Sequence, residues 1–120
     1  SPSYPIDLYE KFVKAKKIKG TRYIHLSIPC PPGWGYPAKD TVKIGRLGVE
    51  TGITPLFEVE DGKFRFTGRS KTMAERGNRL PVVNYLEKQE RFQKMNLQQI
   101  HRFQQWVDGK WQEYLRRSQE

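Results

Sequence analysis

Cysteine is nearly absent from this 120-residue chain, which has one, Cys30, and histidine is scarce, with two, His25 and His101. A single thiol excludes an internal disulfide and the disulfide framework of small secreted domains. The histidines fall far apart, one in an alternating stretch and one in a helical stretch, so they make no metal pair of their own. Long apolar runs are missing too. None approaches the roughly 20 residues of a membrane span, and no signal-peptide pattern is present. The expected compartment is therefore the cytoplasm, with no membrane partner. The chain opens on "SPSYP" rather than a methionine, which leads us to expect a fragment or a processed piece.

Motifs of common chemistry are also lacking. There is no Walker loop, dinucleotide fingerprint or nucleophile elbow, and "GRLGVETG" has the wrong glycine spacing for a phosphate cradle. Glu58 and Glu60 adjoin a turn and read as solvated carboxylates. We find no catalytic residue and no complete active site in these residues alone.

Acidic residues are outnumbered, 13 against 22 Lys and Arg, for a net charge of +9. Such an imbalance bears on association rather than on fold. It suits an acidic protein partner, or neighbours in a larger assembly that cancel it. The basic residues are scattered in "KAKKIK", "GRSK", "ERGNR" and "LRR". None of these makes a basic helical face interleaved with aromatics, so we do not expect nucleic acid as a partner.

What is present is a clear order of elements. "SYPIDLYEKFVKAKKIKG" predicts a helix: Pro5 suits a first helical position, Asp7 the first turn, and four lysines the end before Gly20. Leu8, Tyr9, Phe12 and Val13 form its apolar stripe. "RYIHLSI" alternates, with Ile24, Leu26 and Ile28 on one face, and predicts a strand that ends near Pro29. "PCPPGWGYP" is a loop, because its prolines remove backbone donors and its glycines add freedom.

Asp40 is the expected N-cap of a helix over "TVKIGRLGVETG", where Gly45 and Gly48 share a face and invite a close approach. "TPLFEVEDGKFRFTG" predicts a hairpin turning at Asp61-Gly62. "RSKTMAERGNRLP" has no apolar period and is expected as an extended connector. "PVVNYLEKQERFQKM" and "LQQIHRFQQWVDGKWQEYLRR" predict two helices, the second about 30 Å long and weakened at Gly109. Phe103, Trp106 and Trp111 are more aromatic surface than a free helix exposes, so this tail needs something to lie on.

Cys30 is the one candidate site residue. In α/β sheets ligands sit beyond the carboxyl ends of strands, and Cys30 follows such an end, with Trp34 and Tyr36 able to roof a group beside it. The residues alone leave two readings open: a small buried side chain, or a ligand or nucleophile.

"SPSYPIDLYEKFVKA", "YIHLSIPCPPGWGY" and "IGRLGVETGITPLFEVEDGKFRF", with the closing "LPVVNYLEKQERFQKM" and "QQIHRFQQWVDGKW", resemble the carboxyl-terminal part of the beta subunits of the 2-oxoacid:ferredoxin oxidoreductases, pyruvate:ferredoxin oxidoreductase among them. The resemblance runs in order over nearly the whole chain, and the proline-cysteine-proline-x-glycine-tryptophan element is its most specific part. It implies an α/β fold in which residues 1–68 close a thiamine-diphosphate-binding α/β domain (helix-strand-loop-helix-hairpin). Residues 69–120 would form an extended connector and a helical arm.

The resemblance further implies a 4Fe-4S cluster with Cys30 as its fourth cysteine ligand. The other three cysteines, and the thiamine diphosphate and Mg2+ sites, would lie outside these residues. The implied reaction is oxidative decarboxylation of a 2-oxoacid, pyruvate by default, with coenzyme A, giving acyl-CoA, CO2 and reduced ferredoxin, and reversible as carboxylation. The implied partners are the other subunits, ferredoxin, coenzyme A and the 2-oxoacid. The alternative is a non-catalytic assembly or binding module of a larger complex.

Overall fold

A computed structural model describes all 120 residues. Helix α1 spans Pro5–Lys17, starts on a proline, carries Asp7 in its first turn and Lys14, Lys16 and Lys17 in its last. An extended segment, residues 21–30, leads to a single helical turn, α2 (Pro31–Trp34). A 3-10 turn over Ala38–Asp40 runs into α3 (Thr41–Glu50). Strands β1 (Phe57–Glu60) and β2 (Lys63–Phe66) follow, then α4 (Gly68–Arg76), α5 (Val83–Leu86), a 3-10 turn at Glu90–Phe92, and the long α6 (Leu97–Arg117). No helix is long and apolar enough to cross a membrane.

The hairpin forms as its sequence predicts. Asp61 and Gly62 take φ of 49° and 77°, the left-handed pair of a type I′ turn. The register pairs Phe57 with Phe66 and Val59 with Phe64 on one face. A lone two-stranded sheet is marginal in water, and here the tail covers it. Phe64 stacks on Tyr114 at 5.4 Å between ring centroids, and Phe66 meets Trp111 at 4.8 Å. Phe64, Phe66, Met73 and Trp111 form one buried cluster. The larger cluster joins Tyr36, Ile44 and Leu47 to Val82, Tyr85, Leu86 and Val107, so the tail helices complete the core around α3. Something to lie on is thus supplied by the front of the chain itself, although Trp106 stays 56% exposed.

Five local expectations need correction, the first being that "PCPPGWGYP", expected as a loop, holds the helical turn α2, whose first positions Pro31 and Pro32 need no N–H donor. Residues 21–30 are extended but belong to no sheet. The alternating pattern is a strand pattern, and no neighbouring strand exists here to pair with it. The expected connector is helical over Gly68–Arg76: its buried face is Ser70 and Met73, and Ser70 is polar, so the helical period was masked. Ser70 Oγ accepts the buried Leu56 N–H at 2.8 Å, which satisfies it. The stretch over residues 81–95 is broken rather than one helix, because Gln89 is extended (φ −132°, ψ 126°) between α5 and the 3-10 turn. Asp40 stands at the N-cap of α3 but makes no side-chain cap bond there.

Candidate functional site

Cys30 occupies the junction between the extended segment and α2. Pro29 before it is buried against α3, where its Cγ is 3.3 Å from the position a Cβ on Gly45 would take. Pro31 and Pro32 fill the first two helical positions, which need no N–H donor. The Trp34 N–H donates to the Cys30 carbonyl at 2.9 Å, and the Gly35 N–H to the Pro31 carbonyl at 3.0 Å. Gly35 then turns left-handed (φ 73°, ψ 70°). The turn is held from below as well: the Glu90 N–H donates to the Gly35 carbonyl at 2.9 Å, and a Cβ on Gly35 would lie 2.5 Å from Glu90 Cβ. A cleft of about 460 Å³ runs between Pro31, Pro32 and Pro37 on this turn and residues 87–90.

The thiol itself is free and exposed. Within these residues Cys30 is not one of the buried side chains of the core. Gly33 leaves the sulfur uncovered on the α2 side, since a Cβ there would come to 3.1 Å of Sγ. Tyr36 does not roof the thiol; its ring is buried in the core. Trp34 packs at the edge of that core and carries Arg91 on its face, with the guanidinium 3.8 Å from the ring centroid.

Arg91 also donates to Tyr85 Oη at 2.9 Å and to Gln89 Oε1 at 2.8 Å. The buried Gln89 amide donates to the Tyr85 carbonyl at 2.8 Å. Burial raises the Tyr85 hydroxyl above its ordinary pKa of 10.0 and outweighs the opposing effect of Arg91. Tyr85, Gln89 and Arg91 thus brace the cysteine turn through Trp34. Sequence reasoning missed them, because nothing in "NYLEKQERF" marks a contact with a residue so distant in the chain.

No second ligand accompanies the thiol. His25 is exposed on the extended segment and its ring lies 6.4 Å from that of Tyr23; His101 is exposed on α6. Nowhere do three or more His, Cys, Asp or Glu side chains gather closely enough to hold a metal ion. These residues alone therefore assemble no metal site around the thiol. Glu58 and Glu60 are engaged with Lys14 and Arg65 on the hairpin.

No family model matches this sequence. Individual relatives do. The chain is 44% identical over 108 residues to pyruvate synthase subunit PorB of Methanocaldococcus jannaschii, which covers 90% of this chain and 34% of the relative. PorB of Methanothermobacter thermautotrophicus is 47% identical over 94% of this chain and 37% of its own length. Ketoisovalerate oxidoreductase subunit VorB of Pyrococcus abyssi is 38% identical over 93% of this chain and 35% of its own length. The chain is a homologue of the beta subunits of the 2-oxoacid:ferredoxin oxidoreductases, and it spans about a third of the length of the curated relatives it matches.

Proposed function

We propose that this chain works as part of a cytoplasmic 2-oxoacid:ferredoxin oxidoreductase, with pyruvate the first substrate to test. The enzyme would decarboxylate the 2-oxoacid oxidatively with coenzyme A to acyl-CoA, CO2 and reduced ferredoxin, or run in reverse as a pyruvate synthase. In that enzyme residues 1–68 would close the thiamine-diphosphate-binding domain and residues 69–120 would lie across it as its helical tail. One observation carries the role of this piece: a free, exposed thiol on a proline-braced turn, in a chain whose relatives are named pyruvate synthase subunits.

In this reading Cys30 is one thiolate ligand of a 4Fe-4S cluster whose other ligands come from outside these residues. A cluster bound there supplies one-electron transfer. The chain's own residues position the sulfur. Pro31 and Pro32 stiffen the turn, Gly33 keeps side-chain atoms off Sγ, and Trp34, clamped by Arg91, fixes the turn against α5. The residues present offer no comparable fit to thiamine diphosphate or Mg2+. The net charge of +9 favours approach of an acidic protein such as ferredoxin.

The test uses the complete enzyme, purified anaerobically with this chain in place, wild type against Cys30→Ser. Iron is counted and the reduced clusters are read by electron paramagnetic resonance, alongside 2-oxoacid-dependent ferredoxin reduction. Loss or conversion of one cluster with impaired ferredoxin reduction is the expected result. An unchanged iron count and spectrum would make Cys30 a bystander and leave the chain a non-catalytic assembly module.

A further inference from the structure

Arg65, Arg69 and Arg79 each meet a carboxylate. Arg91 is pinned from several sides and meets none. Its Nε donates to the Gln89 amide oxygen at 2.8 Å and its Nη2 to the Tyr85 hydroxyl at 2.9 Å, both neutral acceptors. The guanidinium carbon stands 3.8 Å from the Trp34 ring centroid and 4.4 Å from that of Phe92. Acids beside it in the chain turn elsewhere: Glu87 pairs with Lys88, and Glu90 lies against Gly35 at the open cleft.

A brace needs no charge. A neutral amide can donate to the same two oxygens, and an apolar side chain can cover the same rings. What arginine adds is a permanent cation in a fixed place. That place is the cysteine turn, where Trp34, four residues after Cys30, donates its N–H to the Cys30 carbonyl. Residues so spaced on a helical turn are neighbours, about 5–6 Å apart between Cβ atoms. With the ring contact added, the charge stands on the order of 10 Å from the thiol. At that range and an effective dielectric of about 20, a unit charge shifts a one-electron equilibrium about tenfold. The Glu90 carboxylate, exposed and tied to no donor, offsets only part of this.

We infer that Arg91 is a positioning residue whose clamped charge sets the electrostatic potential at Cys30, favouring anionic groups there and, in the proposed enzyme, the reduced state of the cluster. Reduction adds one negative charge to a 4Fe-4S cluster, and its potential responds to charges and hydrogen bonds around it. The cluster half of the inference rests on the proposed enzyme, and the charge at the thiol does not.

Two measurements test the two halves. In the 120-residue chain Cys30 is the only thiol, so alkylation reads its surroundings. The rate with anionic iodoacetate divided by the rate with neutral iodoacetamide reports the local potential and cancels the thiol's own reactivity. Arg91→Gln and Arg91→Met should lower that ratio at least threefold, and Arg91→Lys less than twofold. Lys17→Gln, an equal loss of charge at the far end of α1, should leave it unchanged. Thermal midpoints show which variants are folded.

In the assembled enzyme, potentiometric titration followed by electron paramagnetic resonance should find the cluster of iron-replete Arg91→Gln at least threefold harder to reduce. An unchanged alkylation ratio, or an equal fall in Lys17→Gln, would overturn the inference and leave the enzymatic reading standing. A lowered ratio in a chain whose assembled enzyme holds no cluster on Cys30 would uphold the charge while that reading fell. A lowered ratio with an unmoved potential would overturn the link to the cluster, and loss of iron from Arg91→Lys and Arg91→Gln alike would make Arg91 a structural brace only.

Discussion

Ser3 occupies the space that a side chain at Gly45 would need: a Cβ on Gly45 would stand 1.9 Å from Ser3 Oγ and 2.9 Å from Ser3 Cβ. The turn before α1 thereby rests directly on α3, with Arg46 of α3 reaching over the Tyr4 ring at 5.9 Å. Alanine would gain roughly 1 kcal/mol of helix propensity at position 45. Overpacking of this kind costs about 1–3 kcal/mol. Since the obstacle includes a Cβ and not merely a flexible side-chain tip, Gly45→Ala should lower the thermal midpoint. Adding Ser3→Gly should recover most of the loss, a coupling measured by a double-mutant cycle. A Gly45→Ala chain as stable as the parent would mean that the turn before α1 and helix α3 do not approach this closely.

Gly109 is the opposite case. It lies inside α6, with nothing within 4 Å of the position a Cβ would take. Here only the backbone term remains, so Gly109→Ala should stabilise the chain by up to about 1 kcal/mol. For a domain of this size that raises the midpoint by about 4 °C. Calorimetry on both glycine variants separates a packing glycine from a tolerated one, and a lower midpoint for Gly109→Ala would reveal an unseen contact at α6.

Those two glycines also show how far the residues alone can be read. Spacing marked Gly45 and Gly48 as a close-approach face, and a Cβ on Gly48 would indeed lie 2.7 Å from Thr54 Oγ1. The hairpin was legible because its turn chemistry and its alternation agree. The 21–30 alternation was legible too, but no strand of this chain pairs with it. Helix α4 was hidden, since its burial uses a serine satisfied by a backbone N–H; its stop, the left-handed Gly77, was there to be used. The start of α6 was likewise overlooked: Asn96 and Gln99 form a reciprocal capping box with both bonds at 2.9 Å. Of the candidate site, the cysteine and its prolines were visible. The Tyr85, Gln89 and Arg91 brace was not, because long-range contacts leave no local pattern.

Arg79 ties the end of α3 to α6. One guanidinium nitrogen donates to the Thr51 carbonyl at 3.0 Å, another pairs with Asp108, and the plane lies 5.2 Å from the Trp111 ring centroid. A lysine cannot satisfy two acceptors in this fork and stack as well. Arg79→Lys should therefore cost about 1–2 kcal/mol in urea denaturation. Asp108→Asn should cost less than about 1 kcal/mol, because that carboxylate is half exposed. Equal losses for the two variants would place the stabilisation in the ion pair rather than in the bond to Thr51.

The Lys14 ammonium links α1 to the hairpin, at 2.8 Å from Glu58 and 2.7 Å from Glu60, with Arg65 also on both carboxylates. Burial is the largest single effect on Glu58 and opposes its ionisation, but hydrogen bonds from Lys14 and Arg65 together outweigh it and hold the pKa below its ordinary 4.5. Glu60 is lowered as well, chiefly by its hydrogen bond from Lys14. Both carboxyls thus release their protons more readily in the folded chain than in the unfolded one. The stability they contribute is complete above the unfolded value of 4.5 and is lost as pH falls through the lower folded values. Stability measured by denaturant titration should decline between about pH 5 and 3, and Glu58→Gln should flatten that decline while lowering stability at neutral pH. Raised salt should weaken the effect of Glu60 more than that of Glu58, since Glu60 is the more exposed of the two. A decline as steep in Glu58→Gln as in the parent would place the acid sensitivity elsewhere in the chain.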